Sequence, residues 1–240
     1  MVNKSKIPVL ILAGGKGTRL SELTNSIPKP MVKVQNKPII NHIISHYCNY
    51  GFSNFYVLTG YKSNLLVDYF KRKFKHPNKP LVKCINTGSK TMTGGRLKRL
   101  EKILSLCKYF MFTYGDGLSN INLDKLLTSH VRSKKIITLS TVRPPARFGY
   151  LKFKGNEIID FKEKKQTDSG WINGGFFVTD KRIFDYISND KTVLERDTLG
   201  KLAILRQLNA FKHKGFWQCV DTLRDKEYLD NLSKKILDLK

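Results

Sequence analysis

Apolar residues in this chain come in short runs, and the spacing within each run names the element it builds. Residues 9–12 are a β-branched and aliphatic stretch ended by Gly14-Gly15, the pattern of a buried strand entering a tight turn. Ile39, Ile40, Ile43, Ile44 and Tyr47 recur at helical spacing until Gly51 stops them. Residues 55–59 predict the next strand. Leu65, Leu66, Tyr69, Phe70 and Phe74 mark a second amphipathic helix, and residues 81–85 a third strand. Leu97, Leu100, Ile103 and Leu104 form another helical face, and residues 109–113 a strand that runs into Gly115-Asp116-Gly117. Strand and helix alternate, which predicts a parallel, doubly wound sheet with helices on both faces. Ligands of such sheets bind beyond the carboxyl ends of the strands, which singles out the loops at 13–19, 60–63, 86–96 and 114–117.

The texture changes from Ile136. Residues 136–142, 150–153 and 158–161 are strand-like, with Lys154-Gly155-Asn156 as a hairpin turn. Further strands are expected at 176–178, 210–213 and 216–220, and helices at 181–187, 198–206 and 223–237. No internal repeat, low-complexity tract or Pro/Ser-rich linker interrupts the chain. The expected fold class is therefore α/β: one domain over 1–240, a doubly wound, Rossmann-like mixed sheet with a small β insert and short C-terminal helices.

Charge adds a constraint on partners. The 240 residues carry 44 Lys and Arg against 19 Asp and Glu, a net +25, which favours anionic partners without choosing among triphosphates, nucleic acid and anionic membranes. Cys48, Cys84, Cys107 and Cys219 are widely spaced, with no pair suited to zinc or to a disulfide framework, so a reducing compartment is expected. The apolar run at 9–13 is too short for a signal-peptide core or a membrane span, and the expected location is cytoplasmic.

Two motifs carry candidate chemistry. Ala13-Gly14-Gly15-Lys16-Gly17-Thr18-Arg19-Leu20 follows the first strand, where glycines allow backbone N–H groups to approach an anion and Lys16 and Arg19 add charge. Its spacing is neither that of a Walker A loop nor G-x-G-x-x-G, and by itself it also reads as an ordinary tight turn. In Ile27-Pro28-Lys29-Pro30-Met31, two prolines restrict the backbone around one lysine. A stiffly held ammonium suits a phosphate whose charge must be neutralised during attack; alone, the motif reads equally as a solvated lysine in a proline turn.

Taken together and in this order, with Ser21-Glu22-Leu23-Thr24 between them, the two motifs closely resemble the signature of the sugar-1-phosphate nucleotidyltransferases. Downstream, the chain resembles the glucose-1-phosphate cytidylyltransferase branch. The segments concerned are Asn86-Thr87-Gly88, Thr91-Met92-Thr93-Gly94-Gly95-Arg96, Tyr114-Gly115-Asp116-Gly117, Arg143-Pro144-Pro145-Ala146-Arg147-Phe148-Gly149, Phe161-Lys162-Glu163-Lys164, Ile172-Asn173-Gly174-Gly175 and Gly215-Phe216-Trp217-Gln218-Cys219-Val220-Asp221. The match runs from about residue 8 to 230.

The resemblance implies a nucleotide-binding half at 7–142, a sugar-phosphate-binding half at 143–222 and a C-terminal helix at 223–240. It implies catalytic roles for Arg19, Lys29, Asp116 and Asp221, with Mg²⁺ held by Asp116 and Asp221. The nucleotide would meet Leu12, Ala13, Gly14, Gly15, Lys16, Gly17, Thr18, Arg19, Lys29, Thr93, Gly94, Gly95, Tyr114, Gly115 and Asp116. The sugar phosphate would meet Gly149, Glu163, Lys164, Asn173 and Gly174. The implied partners are CTP and a sugar 1-phosphate, glucose 1-phosphate first, in a homo-oligomer, with no nucleic acid and no membrane. A sugar phosphate is already a competent nucleophile at neutral pH, so alignment and charge neutralisation suffice. The histidines receive no role, and Trp217, Phe148, Phe176 and Phe177 are expected in the core. The chain departs from the family pattern at Asn86, where the pattern has Asp, at Lys165, where it has Pro, and in a short stretch at 74–86 that bears on assembly. The nearer rival is a cytidylyltransferase acting on a different phosphorylated sugar or small-molecule acceptor, and a rival of another class is a non-catalytic basic binding protein on the same fold.

Overall fold

The structure, a computed structural model, describes residues 3–73, 79–144, 150–162 and 170–232. Seven strands share its central sheet: β1 (Pro8–Ala13), β2 (Asn54–Thr59), β3 (Leu81–Asn86), β4 (Phe110–Tyr114), β5 (Ile137–Val142), β6 (Ile172–Thr179) and β7 (Leu208–Lys212), in the order β7-β5-β6-β4-β1-β2-β3. β1 pairs in parallel with β2 and β4, and β2 with β3, as the alternating pattern predicts. β6 runs antiparallel between β4 and β5, which makes the sheet mixed. Strands from both expected halves of the chain thus share one sheet. Strand order reverses between β1 and β4, and the crevice above their carboxyl ends is where such a sheet places its ligands.

All six residues of β1 are buried, because helices cover both faces of the sheet and leave no wet side. The period-2 alternation sends Val9, Ile11 and Ala13 to one core, with Ile39, Ile40 and Ile43 of helix α1 (Ile39–Asn49). Leu10 and Leu12 point to the other core, with Leu58, Leu97, Phe112 and Phe177.

Some elements differ from expectation. The second amphipathic helix is α2 (Ser63–Lys73), but the face at 97–104 is split between α3 (Thr93–Lys98) and a single turn at Glu101–Leu104, and Ile103 is exposed rather than buried. Residues 181–187 form a 3₁₀ turn, Lys181–Tyr186. The helix expected at 198–206 begins as a π-helical stretch, Leu194–Leu199, and continues as Gly200–Ile204. The C-terminal helix spans Leu223–Asp230. A helix with no counterpart in the sequence reading, Leu123–Ser133, packs Leu123, Leu126, Leu127 and His130 inward and is capped by the Asn122 side chain. Its buried stripe is completed by a histidine, which an apolar pattern does not register. The small β insert is the antiparallel ribbon Tyr150–Lys154 with Glu157–Lys162.

β6 is longer than expected, and its pairing with β5 shifts register between Asn173 and Phe177. Gly175 sits there at φ +80, backbone that favours glycine. The bulge leaves Gly174 and Gly175 out of the pairing with β5, and Asn173 and Gly174 border the crevice. Just beyond it, Phe177 stacks on Phe112 with centroids 4.3 Å apart and planes 10° from parallel, both rings fully buried. Phe177→Ala should therefore cost about 3–5 kcal/mol. Urea unfolding should show a lower midpoint at an unchanged m-value, and a loss below about 1 kcal/mol would contradict this packing.

Candidate active site

Two cavities open above the carboxyl ends of β1 and β4. The first, about 620 Å³, is lined by Leu12, Ala13, Gly14, Gly15, Gly17, Thr18 and Arg19 from the glycine loop, by Lys29 and by Thr93. Tyr114, Gly115 and Asp116 close one side, and Ser89, Thr91, Met92, Arg96 and Glu195 complete the wall. Gly17 takes φ +68, which lets the loop turn back so that its carbonyl accepts from Thr24 Oγ1 at 3.0 Å. Three residues of the expected nucleotide set do not line this cavity. Lys16 is exposed on the loop. Gly94 and Gly95 are buried against residues 190–192, where a Cβ on Gly95 would come within 2.5 Å of Asp190 Cα. They serve close packing, because only a residue without a side chain lets α3 approach that segment.

The second cavity, about 1010 Å³, is walled by Asn173, Gly174, Trp217, Cys219, Asp221 and Arg224, among others. It shares Arg19, Tyr114, Asp116 and Asn173 with the first, so the two are halves of one cleft. Gly149, Glu163 and Lys164, expected to receive the sugar phosphate, lie outside the described residues, as do Phe148 and Lys165. Phe176 and Phe177 are core residues, as expected. Trp217 is only half-buried and lines this cavity, with its Nε1 donating to the Gly174 carbonyl at 2.8 Å. No described histidine lines either cavity.

Where the cavities meet, Lys29 Nζ lies 2.6 Å from Asp116 Oδ2 and 2.7 Å from Asp221 Oδ1, and Arg19 Nη1 lies 2.7 Å from Asp221 Oδ2. Local structure explains how residues so distant in sequence converge. Pro28 precedes the 3₁₀ turn Lys29–Met31 and Pro30 lies within it, and Lys29 is buried with its head in the cleft. Asp116 follows β4. The short strand Gly117–Ser119 pairs with Trp217–Cys219, and Val220 N donates to the Asp116 carbonyl at 3.0 Å, which brings Asp221 alongside Asp116. Asp225 fixes the next turn: its carboxylate accepts from the N–H groups of Asp221 and Thr222 within a capping box that opens the C-terminal helix.

The electrostatics follow from this packing. Burial alone would lower the Lys29 pKa, but Asp116 and then Asp221 outweigh it and hold the ammonium above its ordinary range. Burial would raise Asp221, yet Lys29 and then Arg19 bring it below the usual carboxylate range. Burial, then Asp221, Asp116 and Asp225, push the Cys219 thiol up to about 12, so this cleft cysteine stays a neutral thiol and is no poised nucleophile. Two hard carboxylates facing an open cleft are a donor set that suits Mg²⁺, which takes one or two carboxylates and fills its octahedron with water and phosphate oxygens. Among the described residues there is no cluster of three or more His, Cys, Asp and Glu side chains that would suit a softer ion.

Arg96, Glu195 and Asp225 were absent from the sequence-based set. The Arg96 guanidinium is buried and donates to the carbonyls of Gly14 (3.0 Å), Thr59 (3.2 Å) and Gly88 (2.9 Å) and to Thr87 Oγ1 (2.6 Å). One side chain thereby ties together the carboxyl ends of β1, β2 and β3. A Cβ on Gly14 would sit 2.1 Å from this guanidinium, so a side chain there would displace it. Nothing local in the sequence announces Arg96 or Glu195, whose partners come from remote segments. Asp225 carried a readable signal, the Thr222-x-x-Asp225 spacing of a capping box. At the departure Asn86, Oδ1 accepts from Gly88 N at 2.9 Å, so the amide closes this turn as a carboxylate could.

Replacing Lys29 tests the ion-paired node through stability. The contribution of Asp221, whose folded pKa is depressed, is present above the ordinary carboxylate value of about 3.9 and is lost as pH falls through its lower folded value. Lys29→Met leaves two carboxylates facing each other and should cost roughly 3 kcal/mol at pH 7. The deficit should shrink below about pH 4, because the variant gains from protonating a carboxylate while the wild type loses its ion pair. Denaturant unfolding from pH 3 to 8 measures both, and a pH-independent deficit would rule out this electrostatic account.

Comparison with known proteins agrees with this geometry. Residues 8–223 match the family described as Nucleotidyl transferase. The chain is 40% identical to the glucose-1-phosphate cytidylyltransferase of Salmonella typhimurium, over 94% of this chain and 95% of that one. It is 36% identical to the probable glucose-1-phosphate cytidylyltransferase of Bacillus subtilis, over 90% and 92%. Among solved structures, HddC from Yersinia pseudotuberculosis complexed with GMP-PN superposes with a TM-score of 0.74 at 25% identity, covering 93% of this chain and 98% of that chain. The chain is an enzyme of the nucleotidyl transferase family, to which glucose-1-phosphate cytidylyltransferases are full-length relatives.

Proposed function

We propose that this enzyme transfers a cytidylyl group from CTP to α-D-glucose 1-phosphate, forming CDP-glucose and pyrophosphate. The observation that carries the reading is the single ammonium of Lys29, held by two aspartates where a glycine-loop cavity meets a second, larger one. The choice of CTP and glucose 1-phosphate draws on the full-length relatives of that activity. The glycine loop and Arg19 hold the triphosphate in the first cavity, and the sugar phosphate occupies the second, beside Asn173 and Gly174. A phosphate oxygen of the sugar attacks the α-phosphorus of CTP; the bond to the bridging oxygen of the β-phosphate breaks, and pyrophosphate leaves with that electron pair. The attacking phosphate is already ionised, so no general base is needed. Lys29 stays protonated and neutralises charge that grows on the α-phosphoryl oxygens during transfer. Mg²⁺, when bound, would supply Lewis-acid neutralisation of phosphate charge, and Asp116 and Asp221 are the residues that would hold it.

The product would feed surface-polysaccharide or deoxysugar synthesis in the cytoplasm. Among the described residues, no helix is long and apolar enough to cross a membrane.

Two measurements test this reading. A pyrophosphate-release screen of four triphosphates against a panel of sugar 1-phosphates should show CTP with glucose 1-phosphate as the best pair and UTP as second nucleotide. A purine triphosphate turning over best would refute the cytidylyl assignment; another acceptor reacting with CTP while glucose 1-phosphate stays inert would refute the glucose assignment alone. In the second, Asp116→Asn and Asp221→Asn should each lower kcat by about 10²-fold or more, with cooperative unfolding retained. Near-normal turnover of either variant at saturating Mg²⁺ would remove that residue from the metal site.

A further inference from the structure

Of the four residues that line both cavities, Tyr114 is the one whose hydroxyl is hydrogen-bonded on both sides. Tyr114, the last residue of β4, lines both cavities. Its OH donates to Glu195 Oε1 at 2.5 Å and accepts from Asn173 Nδ2 at 3.2 Å. The other oxygen of Glu195 accepts from Thr93 Oγ1 at 2.8 Å, in the wall of the first cavity. Asn173 Oδ1 accepts from Gly175 N at 2.8 Å, so both ends of its amide are assigned. A continuous chain of hydrogen bonds therefore runs Thr93–Glu195–Tyr114–Asn173, from one cavity into the other.

The hydroxyl is not needed to hold the ring. Gly175 approaches so closely that a Cβ there would lie 2.8 Å from Tyr114 Cδ2, and Phe177 meets the ring edge-on at 5.6 Å. The hydroxyl works on the amide instead: Gly175 N holds Oδ1, and Tyr114 OH sets where Nδ2 points. With Tyr114 accepting, Asn173 directs Nδ2 to the tyrosine and keeps a second N–H for an anionic ligand; a flipped amide would present its oxygen, which a phosphate repels. A phenol is protonated at neutral pH, and its hydrogen bond to Glu195 makes it the donor there. Glu195 itself belongs to the π-helical stretch Leu194–Leu199, a geometry that recurs at functional sites.

We propose that Glu195 and Tyr114 are positioning residues that set the amide of Asn173, so that a nucleotide in the first cavity raises the affinity of the second for a sugar phosphate. This rests on the assignment of nucleotide and sugar phosphate to those cavities. A ligand that touches Thr93 or Glu195 changes the hydrogen bonding of that carboxylate, and Tyr114 passes the change to Asn173.

The test is calorimetric titration of glucose 1-phosphate into the enzyme with and without a non-hydrolysable CTP analogue, together with steady-state kinetics. In the wild type the analogue should tighten glucose 1-phosphate binding about tenfold, within the usual range of site–site coupling. Tyr114→Phe keeps the ring and loses the hydroxyl. It and Glu195→Ala should abolish that enhancement and raise KM for glucose 1-phosphate about tenfold, the effect of one lost hydrogen bond, while KM for CTP moves far less. Glu195→Gln keeps a carbonyl acceptor for Tyr114 and should restore most of the enhancement. Thermal unfolding of each variant separates this from a loss of fold. Wild-type enhancement in Tyr114→Phe, an equal rise in both KM values, or Glu195→Gln no better than Glu195→Ala would overturn the relay while leaving the proposed reaction intact. Wild type that binds neither ligand would overturn the cavity assignment, and the relay with it.

Discussion

One lysine ammonium between two aspartates organises this site. Lys29, Asp116 and Asp221 come from three separate parts of the chain, and each is buried enough that leaving it unpaired would be costly. Pairing them satisfies the charges and sets the spacing of the cleft. The Lys29 turn lies under the glycine loop, Asp116 follows β4, and Asp221 follows the short strand Trp217–Cys219. The same charges then become the chemical equipment. In the proposed reaction the triphosphate would meet this cation at its α-phosphate, and Mg²⁺ would find two carboxylates within reach of one another. A strongly basic chain therefore keeps a small acidic focus in its cleft.

Rigid backbone support lies immediately behind that node. The Arg96 guanidinium loses hydration on burial and recovers hydrogen bonds from three backbone carbonyls and a threonine, each at the mouth of β1, β2 or β3. Its contacts fix the first peptide of the glycine loop relative to the neighbouring strands. On the opposite side, the register shift in β6 frees Gly174 and Gly175 from pairing with β5 while Trp217 pins the Gly174 carbonyl. The cleft thus has one wall anchored by a buried cation and another shaped by a bulge.

Most of the fold was legible because its signals are local. The five-residue apolar run of β1 and the isoleucine spacing of α1 state their structure within a few residues. The helix Leu123–Ser133 was not legible, because its buried stripe is closed by His130 rather than an apolar residue. The break in the 97–104 face and the π-helical start at Leu194 are likewise tertiary outcomes, imposed by packing of α3 against the segment that follows Lys181–Tyr186.

The candidate site divides along the same line. The sequence by itself determined the glycine loop after β1 and the proline-held Lys29, because their neighbours restrict the backbone, whereas Asp116 and Asp221 were singled out by the resemblance to the sugar-1-phosphate nucleotidyltransferases. Only the tertiary structure decided that Gly94 and Gly95 pack against residues 190–192 instead of lining a cavity, and that Lys16 stays on the surface. It alone brought Arg96 to three strand ends and Glu195 to Tyr114. The reason is physical: a side chain's role is set by the partners that neutralise or hydrogen-bond it, and for these residues the partners lie tens of positions away, joined only once the sheet has formed.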